Sequence, residues 1–192
     1  MCRFLRKFAT NAILASNMML LMLSAVNAAN APLLLADAEV EELQLKTPSQ
    51  FKISYQEKGK TISVYEMIPE QETLDNWTQM ISHQVFHNVS DENPNTLIDD
   101  ILKMFEPVCH SLQQTNYFTG KENGYPTTLR AQQCRNNKHT GESQTVLYKA
   151  IQGENNLHII QWVYRYPKNF VAPVLSEQLN YLKHATLQSI SG

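Results

Sequence analysis

From residue 51 onward, apolar and polar residues alternate in short runs separated by turn-forming residues. Phe51-Lys52-Ile53-Ser54-Tyr55 and Ile62-Ser63-Val64-Tyr65-Glu66 flank Lys58-Gly59-Lys60, which predicts a β-hairpin turning at Gly59 and ending at Pro69. Leu74, Trp77, Ile81 and Val85 then recur at helical spacing, predicting an amphipathic helix that opens with Thr73 as N-cap. Beyond Asn93-Pro94-Asn95, the set Ile98, Ile101, Leu102 and Phe105 predicts a second helix, capped by Asn95 or Thr96 and stopped by Pro107.

Strands dominate the remainder. Leu112 to Phe118 and Thr127 to Cys134 enclose Lys121-Glu122-Asn123-Gly124, and Asn-Gly is a strong hairpin signal. Gln144 to Ile151 forms a further strand, turned back through Gln152-Gly153-Glu154-Asn155-Asn156 into Leu157 to Arg165. That last run is apolar on both faces, as a central strand must be. Leu175, Leu179, Leu182 and Leu187 predict a closing helix. The expected order is ββααββββα, an α+β fold in which an antiparallel sheet is packed with helices.

The first 28 residues follow a different logic. Arg3, Arg6 and Lys7 precede the apolar run Met18-Met19-Leu20-Leu21-Met22-Leu23, and no acid occurs before Asp37. Val26-Asn27-Ala28 places small residues at the −3 and −1 positions of a cleavage site. This is the pattern of a cleavable secretory signal, so residues 1–28 are read as a signal peptide. Residues 29–47 are a lead-in segment, Ala-rich and then acidic, without a clear partner face, and 48–192 are a single α/β domain. Asn11, Ser16, Asn17, Ser24 and Asn27 interrupt the apolar run, which argues against a retained anchor, so no stable membrane span is expected after cleavage.

Export changes both charge and cysteine chemistry. Loss of Arg3, Arg6 and Lys7 takes the formal charge from −2 to about −5. A mildly acidic chain without lysine or arginine clusters excludes nucleic acid as a partner, because phosphates demand a basic footprint. Cys2 leaves with the signal, and Cys109 and Cys134 remain. In an oxidising compartment an even count favours a disulfide, and closing a loop of about 26 residues would stabilise the fold by roughly 3.5 kcal/mol. Buried free thiols or ligands for a soft metal are the alternatives, although no CxxC or zinc-spaced cluster supports a metal.

Several of these segments also carry a resemblance. The hairpin, Leu74-Asp75-Asn76-Trp77-Thr78-Gln79-Met80, the stretch from Cys109 through Asn123-Gly124-Tyr125 to Cys134, Gly141-Glu142 and Ala150-Ile151-Gln152-Gly153 resemble a group of uncharacterised exported bacterial proteins. The element order is similar to the PsbP/Mog1 α/β/α sandwich. The resemblance implies an accessory or binding role and brings no catalytic residues.

Candidate chemistry is sparse. His83 and His87 stand at i, i+4, a spacing that lets two imidazoles share a metal on one helix, but Gln84 replaces the glutamate a zincin needs. On the expected helix both would face solvent. No serine lies in a Gly-x-Ser-x-Gly elbow, and adjacent Cys109 and His110 would point apart. Asn76-Trp77-Thr78 and Asn88-Val89-Ser90 match glycosylation sequons, which carry no meaning in a bacterial protein. Lys138, His139, Gly141 and Glu142 form a polar connecting loop. Tyr164, Arg165 and Tyr166, at a strand end, are the expected contact surface.

No catalytic, metal or cofactor-binding residue is therefore expected. The reading is an exported, periplasmic or secreted, non-enzymatic binding or accessory protein, with an unknown protein or small molecule as its partner. The alternative is a small extracellular hydrolase whose acid and base residues are dispersed along the chain. Mass spectrometry of the exported protein should find an N-terminus at Ala29, and an intact Met1 would refute cleavage.

Overall fold

The structure is a computed structural model and describes residues 40–166 and 175–190. The expected signal peptide, its cleavage site and most of the lead-in segment lie outside the described residues. Nine strands and two helices follow in the order β1 (Val40–Gln44), β2 (Phe51–Lys58), β3 (Ile62–Pro69), β4 (Gln79–His87), α1 (Pro94–Lys103), β5 (Cys109–Glu122), β6 (Tyr125–Asn137), β7 (Ser143–Gln152), β8 (Asn156–Tyr166), α2 (Ser176–His184) and β9 (Thr186–Ile190).

This corrects the expected α+β sandwich and its order ββααββββα. The described residues are mostly antiparallel β with two short helices, and a helix-rich PsbP/Mog1-like sandwich does not fit them. The main error lies at residues 73–85, where a helix was expected. The segment instead crosses a tight turn, in which the Glu72 carboxylate accepts from the Thr78 N–H at 2.7 Å and its hydroxyl at 2.5 Å. It then enters β4, bonded to β3 on one side and β8 on the other. Ile81 and Val85 satisfy a period of four and a period of two alike, so their spacing could not separate the two states. β-branched residues between two partner strands settled it in favour of the sheet.

Two smaller corrections concern helix ends. Asn93 caps α1 by accepting from the N–H groups of Asn95 and Thr96, with Pro94 at the first helical position, where its missing donor costs nothing. The closing helix stops at His184, because Ala185 is extended and Thr186–Ile190 pairs with Val40–Gln44. Part of the lead-in thus becomes β1 and forms a two-stranded ribbon with the C-terminal strand.

The seven-stranded sheet runs β2-β3-β4-β8-β7-β6-β5 with every neighbour antiparallel. Asn123 and Gly124 both have positive φ, as a two-residue hairpin turn between β5 and β6 demands. Alternate residues of the sheet build two cores. On one face Ile98, Ile101 and Leu102 of α1 pack on Val146, Tyr148, Ala150, Ile159 and Val163. On the other, Leu182 of α2 and Leu187 of β9 pack on Ile81, Leu129, Leu147, Ile151, Ile160 and Trp162.

Charged residues fix how these covers sit. The Arg130 guanidinium on β6 pairs with Asp99 and Asn95 of α1. Lys149, fully buried on β7, pairs with Glu122 at 2.5 Å and donates to the carbonyl of Lys183 in the last turn of α2. Burial pulls the Lys149 ammonium below its usual range, and the Glu122 carboxylate opposes that fall. At the β7–β8 turn the N–H of Glu154 donates to the Glu41 carboxylate of β1 at 2.5 Å. A Cβ at Gly153 would fall 2.5 Å from that carboxylate, so a larger residue there would have to push the Glu41 side chain aside.

Cys109 and Cys134 are joined by a disulfide that ties β5 to β6, with Cα atoms 5.4 Å apart and a sequence separation of 25. Both are buried. Reduction of the folded protein should lower its unfolding free energy by about 2–4 kcal/mol, measured by urea titration with and without reductant.

Candidate functional site

One concavity stands out, at the end of the sheet where β2 and β4 begin and β3 and β8 end. Its cavity of about 320 Å³ is lined by Gln50, Phe51, Pro69, Glu70, Gln71, Gln79, Trp162, Tyr164, Glu177 and Gln178. That volume lies near the lower end of the range for small-molecule sites, roughly 300–1,000 Å³.

Each wall has a local origin. Phe51 and Trp162 alternate onto the α2 side of the sheet and meet edge to face, with centroids 5.4 Å apart. Tyr181 of α2 closes on the other edge of Trp162 at 5.0 Å. The indole N–H donates to the Gln79 side-chain oxygen at 3.2 Å, so the buried ring keeps its polar atom satisfied. The first turn of α2 contributes Glu177 and Gln178. The Gln178 amide donates to the Tyr164 hydroxyl at 2.8 Å, while its own oxygen is buried without a partner. Burial, and then the Glu177 charge, push the Tyr164 phenol above its usual range, so it remains a neutral donor and acceptor.

The expected contact surface of Tyr164, Arg165 and Tyr166 is divided among three environments. Tyr164 enters the pocket. Arg165 turns to the other face of β8, where its guanidinium lies 4.5 Å from the Trp77 ring centroid and bonds the Glu142 carboxylate at 3.1 and 3.4 Å. Tyr166 is buried, with its hydroxyl against Gln133 and Thr145 at 3.0 Å each. The Lys138–Glu142 loop is tied down at both ends, by Glu142 to Arg165 and by the Lys138 ammonium to the Pro107 carbonyl at 2.9 Å. Gln79, Gln178 and Phe51 had no sequence signal as site residues, because they are separated by strands and meet only through sheet order.

The histidines occupy the opposite end of the same face. Because β4 is a strand, His83 and His87 share a face for period-two reasons and do not form a helical pair. His83 stacks between Tyr65 and His158, and its Nε2 lies 3.1 Å from His158 Nδ1. His158 Nε2 is buried without a partner. His87 bridges Ser63 Oγ, 2.8 Å from Nε2, and Asn156 Oδ1, 3.2 Å from Nδ1. Asn156 Oδ1 only accepts, so His87 carries its proton on Nδ1 and takes the serine hydroxyl on Nε2. This is the connectivity of a nucleophile, base and orienting group. Ser63, however, lies in the ladder between Lys58 and Val85 and is 5% exposed. A residue paired on both sides commits its backbone to the ladder, so its own segment supplies no oxyanion donors. Among the described residues no His, Cys, Asp or Glu group of three could hold a metal. Cys109 is oxidised and adjacent His110 is exposed, so that pair forms no thiolate site.

No protein-family model matches the chain, and none of the curated proteins matches it in sequence. Among solved structures, LpqN, described as involved in cell envelope biogenesis of Mycobacterium tuberculosis, is similar with a TM-score of 0.39 and 10% identity over 81% of this chain and 87% of that one. Among the described residues no helix is long and apolar enough to cross a membrane.

The histidine stack makes stability depend on pH. Burial, reinforced by the neighbouring imidazole, lowers His83 to about 3, and burial followed by the proximity of His87 lowers His158 to about 4. Both are neutral when folded, whereas unfolded histidine titrates near pH 6.5. The unfolded chain therefore binds more protons, and stability falls as pH drops below about 6.5. The loss continues to about 4 for His158 and about 3 for His83, at up to about 1.4 kcal/mol per pH unit for each. Urea unfolding at pH 7 and pH 5 should show the drop, and a His83→Phe/His158→Phe variant should flatten it.

Proposed function

We propose that the chain is an exported accessory protein, periplasmic or secreted, that binds a small polar ligand or a partner's side chain in the Trp162–Tyr164–Gln178 pocket without transforming it. The observation that carries this reading is the pocket itself. It combines an aromatic wall with a buried amide oxygen that lacks a partner, and buried polar atoms without partners are costly unless something satisfies them. Its described titratable members are Glu70, Glu177 and Tyr164, and none of the described lining residues is a serine, cysteine or histidine. Export is supported by the basic, apolar and small-residue pattern of residues 1–28 and by the Cys109–Cys134 bridge, which persists in oxidising compartments. The sequence resemblance to exported bacterial proteins points the same way.

The Ser63–His87–Asn156 chain favours a second reading, a hydrolase. A fluorophosphonate probe separates the two. We expect no adduct on Ser63, and a stoichiometric adduct lost in Ser63→Ala would replace the binding reading with the catalytic one.

Occupancy is read through tryptophan. The chain has two, Trp77 and Trp162, so Trp77→Phe leaves Trp162 as a single reporter. Titration with the small-molecule fraction of the native compartment should shift its emission saturably, and Tyr164→Phe/Gln178→Ala should weaken the response about tenfold or more. An unchanged response in that variant would remove the pocket from the function.

A further inference from the structure

We infer that the pocket selects a cationic group, a primary ammonium or a guanidinium, over neutral or anionic ligands. This rests on the reading of the pocket as the binding site and specifies what it takes. Among the described residues the lining includes two carboxylates, Glu70 in the turn after β3 and Glu177 in the first turn of α2, and no lysine or arginine. Both glutamates are exposed, and neither has an ion-pair or hydrogen-bond partner for its carboxylate among the described residues.

The third acceptor is the Gln178 side-chain oxygen. Gln178 is only 6% exposed, and its amide nitrogen is spent on Tyr164, so the end left over is an acceptor. The described lining also offers donors, the Tyr164 hydroxyl and the Gln79 amide among them, but its only charges are the two carboxylates, and these call for a cation that donates. Ammonium and guanidinium are the two common groups of that kind. The aromatic lining of Phe51, Trp162 and Tyr164 works in the same direction, because ring faces attract cations and repel anions.

Two features oppose the inference, and both are outweighed. The N-terminus of α2 carries a partial positive charge that would favour an anion, but Glu177 stands in that first turn with a full negative charge. Lys52 approaches Glu70, yet its ammonium donates to the Glu70 backbone carbonyl at 2.7 Å and leaves the carboxylate free.

The test uses the mature, disulfide-bonded protein carrying Trp77→Phe, in buffer near physiological salt, with Trp162 emission and calorimetry as readouts. The probes are 1,5-diaminopentane and ethylguanidine as cations, 1,5-pentanediol and glucose as neutral ligands, and glutarate as the anion. At least one cation should bind saturably and at least tenfold more tightly than the diol, glucose or glutarate. Glu70→Gln/Glu177→Gln, at two exposed positions, should remove that preference. Equal or tighter binding of a neutral probe or glutarate, lost in Tyr164→Phe/Gln178→Ala, would overturn the cation assignment while leaving the pocket as a site. Cation binding that the double glutamine variant does not weaken would overturn it too. Silence of Trp162 to every probe, and to the compartment fraction as well, would remove the pocket reading and the assignment together.

Discussion

The described fold depends on the burial of β8 on both of its faces. This strand is bonded to β4 along one edge and to β7 along the other, and seven consecutive residues from Leu157 to Val163 are buried. A sheet with such a strand at its centre needs a cover on each side, because exposing either row would return apolar surface to water at roughly 25 cal/mol per Å². α1 supplies one cover; α2 with the β1–β9 ribbon supplies the other. The pocket is a consequence of the second cover. It forms where the first turn of α2 passes over the open end of the sheet.

Covering both faces alone would not fix where the covers lie, since apolar contact is weakly directional. The buried charges add that direction. Arg130 reaches α1 through Asp99 and Asn95, and Lys149 reaches the end of α2 while paired with Glu122. Each would be costly to bury alone, and each is therefore tied to a specific partner position. The orientation of α2 in turn places Glu177 and Gln178 over Trp162. At the other end of the same face, His83 and His158 take part as neutral hydrogen-bonding rings, which is why acid loosens that end while its geometry holds near neutral pH.

Much of the local structure was legible in the chain. The hairpin at Gly59, the Asn123-Gly124 turn, the buried face of α1 and the two-faced apolar run of β8 all rest on interactions within a few residues. What misled was the stretch from Thr73 to Val85. Leu74 and Trp77 extended a helical count by coincidence, and Leu74 proves to be exposed. The strand state there depends on β3 and β8, and β8 lies more than 70 residues away. The expected contact surface meets the candidate site only at Tyr164, because Gln50, Gln79 and Gln178 are ordinary polar residues until sheet order and α2 bring them together.

The sequence by itself determined most of the short-range elements and the acidic balance, because these follow from neighbouring residues and composition. Only the tertiary structure decided that residues 79–87 join the sheet, that residues 40–44 pair with residues 186–190, and that this ribbon covers one face together with α2. It also decided where amides and carboxylates would converge. The physical reason is that hydrogen-bond partners and burial come from distant strands. A residue's own neighbours specify its pattern, but the company it keeps in the sheet specifies its chemistry.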